Sequence, residues 1–403
     1  MNSLVLAVLF QLKSTFRLSN LLLTFPVGAI FLMVLLLARR AWKTYCEQRY
    51  DAVSFKIHGQ WRSIVRGDIP ANEWRNNSLK TEILQTIVIR EIGSVTDKDR
   101  AGLQKFLRES GLLSRCIERV LNESGWAKRR AMLELGSMRI PEGIDALLET
   151  LDDWQLDTRI AGVRALGLIG LPEAAEPILE VHMVGGLKIP TAPIADTLIR
   201  CYKDKPEALL PYLRRSLGES RVLLARVAGE LATPQMADEI LILAEDPEQE
   251  VRASAARALA AMPLPLAIPV LAKLIRDDAW FVRLRATSAL NQILHPRVIP
   301  ILLEAIRDSH RLVRIRAATA LAKFEHETMD ILQSIVDSRD QYALHAMISA
   351  LELGGGFGNV LAQLADPDQH NEAAASLLEA LRKGSAGLWS MKPADPVVEA
   401  VFP

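Results

Sequence analysis

Residues 267–297 read AIPVLAKLIRDDAWFVRLRATSALNQILHPR, and residues 298–328 read VIPILLEAIRDSHRLVRIRAATALAKFEHET. The second segment repeats the first at a period of 31 residues. Pro269 returns as Pro300, Asp277 as Asp308, Val282 as Val313, Arg283 as Arg314, and Ala289-Leu290 as Ala320-Leu321. A fixed period between about 20 and 50 residues marks a solenoid, in which each unit buries its apolar face only against its neighbours. The pattern extends outward from this pair. Met236–Leu266 carries Asp238, Asp246, Val251, Arg252 and Ala258-Leu259 in the same columns. Ala174–Gln235 holds two weaker copies, marked by Pro177, Pro211, Thr197-Leu198 and Glu230-Leu231. Asp145, Asp153, Arg159 and Ala165-Leu166 belong to an earlier copy, and Lys128 with Glu134-Leu135 to one before it. Ala350-Leu351 and Ala380-Leu381 mark two decaying copies downstream. The count is about nine repeats between residues 112 and 385.

Each repeat reads as two antiparallel helices. The first is expected to open at Asp145, Pro177, Pro211, Asp238, Pro269 or Pro300, because a first turn tolerates proline and an acid there complements the helix dipole. Apolar residues follow at helical spacing, as in Ile268, Leu271, Leu274 and Ile275. A short turn carries an acid, and the second helix buries Val251, Ala255, Ala258 and Leu259 or their equivalents Val282, Ala286, Ala289 and Leu290. The acid precedes an arginine by six residues in Asp153/Arg159, Asp246/Arg252, Asp277/Arg283 and Asp308/Arg314. This spacing reads as a structural ladder across stacked repeats, not as catalytic carboxylates.

The proline column, the Val-Arg pair six residues after the acid and the Ala-Leu column resemble the HEAT repeat family, especially its short bacterial form named after phycobilisome lyases. The likeness covers about two thirds of the chain and departs from the pattern at Pro190, where the ladder arginine should stand. It implies an all-α fold, a right-handed α-solenoid of about nine hairpins.

Composition agrees with stacked helices. Half of the 403 residues are apolar but only 5% are aromatic, which suits Leu- and Ala-rich helical layers better than a sheet. Cys46, Cys116 and Cys201 form no CxxC pair, so neither a disulfide framework nor a zinc site is expected.

Leu21–Ala38 is a run without a charged side chain, LLLTFPVGAIFLMVLLLA, near the minimum for a transmembrane helix. The basic residues Arg39, Arg40, Lys43, Arg49 and Lys56 outweigh Lys13 and Arg17 on the other flank, which places the repeats in the cytoplasm of a single-pass protein. The expected organisation is an N-terminal segment over 1–20, the transmembrane helix over 21–38, a basic juxtamembrane linker over 39–80, cap helices over 81–111, the solenoid over 112–385 and a tail over 386–403. Nine basic and four acidic residues give the linker a charge of +5; residues 1–38 carry +2, so in a neutral chain residues 81–403 carry −7. That balance argues against a broad phosphate-binding surface and against nucleic acid as the partner.

In a solenoid the second helices line the concave face. A helical wheel sets one column opposite the buried side: Arg129, Ile160, Ala253, Leu284 and Ile315. A turn further on it sets Leu133, Arg164, Arg257, Ser288 and Thr319, with Arg285 and Arg316 alongside. Arg129, Ile160, Arg164, Arg257, Leu284, Arg285, Ile315 and Arg316 are therefore the candidate partner-binding residues, a mixed aliphatic and arginine strip suited to an acidic, partly apolar helix or tail.

No chemistry competes with this. The seven histidines are scattered without an HExxH. Asp366-x-Asp368-x-His370 spans a turn with Pro367, and Gly354–Gly358 has neither a preceding strand nor a following Lys-Ser/Thr, so it reads as an inter-repeat loop. The expected function is that of a membrane-tethered scaffold, not an enzyme, with no cofactor, metal or small-molecule substrate. It would bind a protein partner, with a membrane enzyme as one candidate. The family resemblance also admits a bilin lyase or isomerase, and a nucleic-acid-binding protein.

Overall fold

The computed structural model describes residues 2–68, 78–91, 95, 97–185, 187–358, 360 and 379, with the backbone alone for residues 2–30, 78–80, 82, 89, 97 and 98. Every regular element among the described residues is helical. The chain divides into two compact units, residues 1–143 and 144–403.

The first unit begins with α1, Asn2–Arg66, followed by α2, Ser78–Glu91, and α3, Asp97–Glu109. The stretch 39–66, expected as part of a linker, is therefore the second half of one long helix. Its far end carries Ile57, Ile64 and Val65, which are buried as α2 and α3 pack against α1. Contact with α3 is close: a Cβ on Gly102 would lie 2.5 Å from the Val65 carbonyl oxygen. Upstream, Phe31–Leu37 are exposed, seven consecutive apolar side chains on every face of the helix. Among the described residues no helix is long and apolar enough to cross a membrane. Residues 21–30 of the expected span lie outside the described side chains.

The helices α4, Leu112–Asn122, and α5, Gly125–Ser137, complete this unit as its one repeat-like hairpin. The α5 carboxylate of Glu134 is buried and accepts from Gln85 on α2, from Arg119 on α4 at 2.7 Å and from Arg130 at 2.8 Å.

The second unit contains seven described hairpins. They are α6, Ile144–Leu148, with α7, Leu156–Ile169; α8, Pro172–Met183, with α9, Thr191–Tyr202; α10, Leu210–Arg215, with α11, Gly218–Leu231; and α12, Ala237–Leu243, with α13, Gln249–Ala258. They continue with α14, Leu264–Leu274, and α15, Trp280–Leu290; α16, Ile299–Ala305, and α17, Arg311–Leu321; and α18, Thr328–Asp337, and α19, Gln341–Leu353. The hairpin expected around Ala380-Leu381, the Asp366–His370 turn and the tail over 386–403 lie outside the described residues. At the expected inter-repeat loop, α19 stops at Leu353 and a turn follows at 354–355.

Several first helices start earlier than the proline column suggests. Pro172 opens α8 and Pro265 lies in the first turn of α14, which leaves Pro177 and Pro269 inside those helices. Elsewhere a short 3-10 turn with its own proline, at Pro206, Pro234 or Pro296, leads into the helix.

Val251, Ala255, Ala258, Leu259 and their equivalents Val282, Ala286, Ala289, Leu290, Val313, Ala317, Ala320 and Leu321 are all buried. The second helices from α7 to α19 pack one on the next, more extensively than the first helices do, so they form the inner row of this unit. Small residues permit the approach. A Cβ on Gly229 of α11 would lie 2.8 Å from the Ser254 carbonyl oxygen of α13.

Candidate functional site: an arginine-bearing face on the second helices

The inner row is held in register by a polar ladder at the starts of α13, α15 and α17. Asp246, Asp277 and Asp308 stand just before α13, α15 and α17. One oxygen of each accepts a backbone N–H two residues on, from Glu248, Ala279 and His310 at 2.9, 3.0 and 2.7 Å. The carboxylate then meets the arginine of the preceding repeat, 25 residues back. Arg221 donates to Asp246 at 2.5 Å, Arg252 to Asp277 at 2.7 and 2.9 Å, and Arg283 to Asp308 at 2.6 and 2.9 Å. Toward the aspartate six residues before them, Arg252 and Arg283 reach the backbone instead. Arg252 Nη1 donates to the Asp246 carbonyl at 2.9 Å, and Arg283 Nη1 to that of Asp277 at 2.8 Å.

The ladder has two ends. Val184 stands 25 residues after Arg159, so Arg159 donates to the Lys188 carbonyl at 3.1 Å, and its buried Nε has no partner. Arg339 stands 25 residues after Arg314, and the Arg314 guanidinium lies over the Tyr342 ring at 5.2 Å. Burial alone would raise the Asp277 carboxyl. The Arg252 hydrogen bond, the Ala279 N–H and the charges of Arg252 and Arg283 outweigh it and hold the carboxyl below its ordinary value. Asp308 is lowered against its burial in the same way by Arg283 and the His310 N–H.

Because the ladder engages only the starts of α13, α15 and α17, it leaves other side chains free on the inner row. On α7, Ile160 is half-buried and Arg164 exposed. On α13, Arg257 is half-buried and paired with Glu230 of α11. On α15, Leu284 is half-buried and Arg285 exposed; on α17, Ile315 and Arg316 are both exposed. Ala253, which the wheel set in the same column, is buried. The aliphatic strip is thus open at Ile315 and partly covered at Ile160 and Leu284. Arg129 belongs to α5 of the first unit, where it is half-buried.

Arg257 and Arg285 come together with a third residue that the sequence reading passed over, Arg226 of α11. Burial, then the charges of Arg285 and Arg226, pull the Arg257 guanidinium below its ordinary value. Arg226 stands one period of 31 residues before Arg257, which is the signal that could have found it. Two cavities flank the cluster. One, of about 660 Å³, is lined at the start of α11 and α13 by Leu217, Val222 and Leu223 together with Arg221, Arg226, Glu219, Asp246 and Glu248. The other, of about 640 Å³, lies toward the helix ends and is lined by Gly229, Ala232, Ala258, Ala261, Arg257 and Arg285. Among the described residues no group of three His, Cys, Asp or Glu side chains could hold a metal ion.

Residues 206–291 and 280–352 match the family model described as HEAT repeats, a little over a third of the chain. The stretch 206–352 carries HEAT repeats. These HEAT repeats contain Arg226, Arg257, Arg285, Ile315 and Arg316, as well as the continuous part of the ladder. No curated protein matches the chain. Among solved structures, an engineered protein is similar at 16% identity over 82% of this chain and 96% of its own, with a TM-score of 0.33. Human deoxyhypusine hydroxylase in complex with glycerol is similar at 19% identity over 68% and 97%, with a TM-score of 0.26. The Kap95:Nup1 complex matches at 12% identity over 79% and 54%, with a TM-score of 0.39. All three scores are below 0.5, so the fold assignment rests on the helix pairing of this chain and on its HEAT repeats.

Proposed function

We propose that this chain is a membrane-tethered scaffold whose HEAT repeats hold a protein partner on the inner row of second helices, at the cytoplasmic face of a membrane. One observation carries the binding role. Arg221, Arg252 and Arg283 are matched to carboxylates, whereas Arg164, Arg226, Arg285 and Arg316 project from the same array with no acidic partner among the described residues. Arginine is enriched in protein interfaces because its planar fork makes several hydrogen bonds at little ordering cost. Exposed Ile315 adds apolar surface on the same row. The net charge of −7 over residues 81–403 disfavours a nucleic acid as the ligand.

The tether rests on residues 21–38. They carry no charge, lie in one uninterrupted helix and would span about 27 Å of the hydrocarbon layer. The described part supports this reading, because Phe31–Leu37 face outward all round. Arg39, Arg40, Trp42, Lys43 and Tyr45 follow at once, the residue types that sit at headgroup level on the cytoplasmic side. Tethering raises the local concentration of a bound partner at the membrane, and a bilayer enzyme is one partner that would benefit.

Charge reversal at Arg164, Arg257 and Arg285 together tests the face: crosslinked partner should be lost from the variant while its helicity is retained, and undiminished capture would rule the face out. Fractionation tests the tether. The chain should stay in the pellet after carbonate washing and need detergent for release; recovery in the soluble fraction would end the membrane reading.

A further inference from the structure

The cluster of Arg226, Arg257 and Arg285 is more specific than a generally basic surface. The three side chains stand on three successive second helices, α11, α13 and α15, with Arg257 in the middle feeling the charge of the other two and sharing the wall of one trough with Arg285. Like charges repel, so a structural role would call for interleaved acids, yet Glu230 is the single acid paired with any of the three among the described residues. The trough beside Arg257 and Arg285 is lined mostly by Gly and Ala, which leaves room for a backbone to lie against the helices. The second cavity, which shares Arg226, has Leu217, Val222 and Leu223 on its apolar side; Glu219, Asp246 and Glu248 also line it, with Asp246 already matched to Arg221. Leu217 is 82% exposed there with no described side chain covering it. The site therefore offers one apolar pocket beside a row of three cations.

Geometry narrows the ligand. Packed helices lie about 8–10 Å apart, so a segment crossing from Arg226 to Arg257, which share one repeat position, meets the second at roughly that interval, and Arg285 stands one helical turn before the equivalent position on α15. A polyproline-type chain rises about 3.1 Å per residue with three residues per turn, so every third side chain returns to one face about 9 Å further on. An α-helix laid across the row would need about seven residues for the same step, and a β-strand would turn every third side chain away.

We propose that α11, α13 and α15 form a binding site for an extended acidic peptide segment, with carboxylates at every third residue held by Arg226, Arg257 and Arg285 and one bulky apolar side chain seated against Leu217 and Val222. This rests on the scaffold reading and names the chemistry of the partner at that face.

The test uses the full chain in mild detergent and fluorescein-labelled peptides of about ten residues, with Glu-Pro-Pro repeats and a Phe at one end, made with Phe first and with Phe last. One of the two should bind. Arg226→Ala, Arg257→Ala and Arg285→Ala should each weaken it about five- to tenfold, and removing the Phe should weaken it by a similar factor. Arg226 and Arg285 have no partner to lose, so their variants keep the fold, which circular dichroism would confirm. A peptide of equal Glu content with the acids at every second residue should bind several-fold more weakly. The proposal is overturned if neither peptide binds, if the altered spacing binds equally well, or if a duplex DNA of equal charge displaces the peptide at a lower concentration. The two levels separate cleanly. Failure of the peptides while triple charge reversal still abolishes partner capture removes this inference alone, whereas capture that survives the reversal removes the scaffold face as well.

Discussion

Arg252 and Asp277 are 25 residues apart and joined by two hydrogen bonds, Nε to Oδ2 at 2.7 Å and Nη2 to Oδ1 at 2.9 Å. Their side chains are 17% and 9% exposed, so the pair couples two repeats from a largely dry position. Removing one partner of such a pair leaves a buried charge and costs about 3 kcal/mol. Asp277→Ala should therefore lower the denaturation free energy by about that amount, since it also strips the Ala279 N–H of its acceptor. A double-mutant cycle on Arg252 and Asp277 should return a coupling of about 2 kcal/mol, and one on Arg252 and Asp246 a much smaller value. Equal couplings would show that the ladder runs within repeats.

The same carboxylates set an acid limit. Asp277 and Asp308 are held below their ordinary values in the folded chain, so folding binds protons less well than unfolding does. Their contribution is fully present above the unfolded value, near 3.8, and is lost as pH falls through the folded value. Urea midpoints should be nearly level from neutral pH down to about 5 and drop steeply below about 4. Asp277→Asn together with Asp308→Asn should lower the plateau and flatten the drop. A drop of unchanged steepness in the double variant would assign acid lability to other groups.

The period was legible because close packing of second helices admits few residues at Ala258, Ala289 and Ala320, and those columns repeat almost unchanged. Pairing was harder to read. The spacing of acid and arginine reads as a ladder across repeats but does not say which arginine each acid meets: the helix start turns the Asp277 carboxylate toward Arg252 of the preceding repeat and shows Arg283 only a carbonyl. The weak copies concealed more. Arg215 stands six residues before Arg221, where the stronger copies carry an acid, yet Arg221 meets Asp246 of the repeat that follows, and Arg226 stands one period before Arg257. A helical wheel also fails to see neighbours: Ala253 belongs to the outward column yet is buried.

Close packing makes a second kind of prediction. Replacing a helix-interior glycine with alanine ordinarily stabilises by about 1 kcal/mol. At Gly229 the new Cβ would stand 2.8 Å from the Ser254 carbonyl oxygen, a backbone atom that cannot rotate away. At Gly167 it would stand 2.7 Å from Thr197 Oγ1 and 3.0 Å from Thr197 Cα. Both Gly229→Ala and Gly167→Ala should therefore destabilise, by about 1–3 kcal/mol. Higher melting temperatures in either variant would mean that the helices can separate without cost.

In the first unit the equivalent joint is Glu134, whose side chain is 4% exposed and takes hydrogen bonds from Gln85, Arg119 and Arg130. Three helices meet on one carboxylate, so Glu134→Ala removes a shared anchor and leaves Arg119 only its contact with Glu123 at 3.1 Å. The expected loss is about 3 kcal/mol. Since stacked repeats are stabilised by near neighbours, the damage should remain local. Hydrogen exchange should speed up in α2, α4 and α5 while α13, α15 and α17 keep their protection. Exchange that accelerates equally throughout would show that both units unfold as one, and no change at all would show that Gln85 and the two arginines are satisfied without the acid.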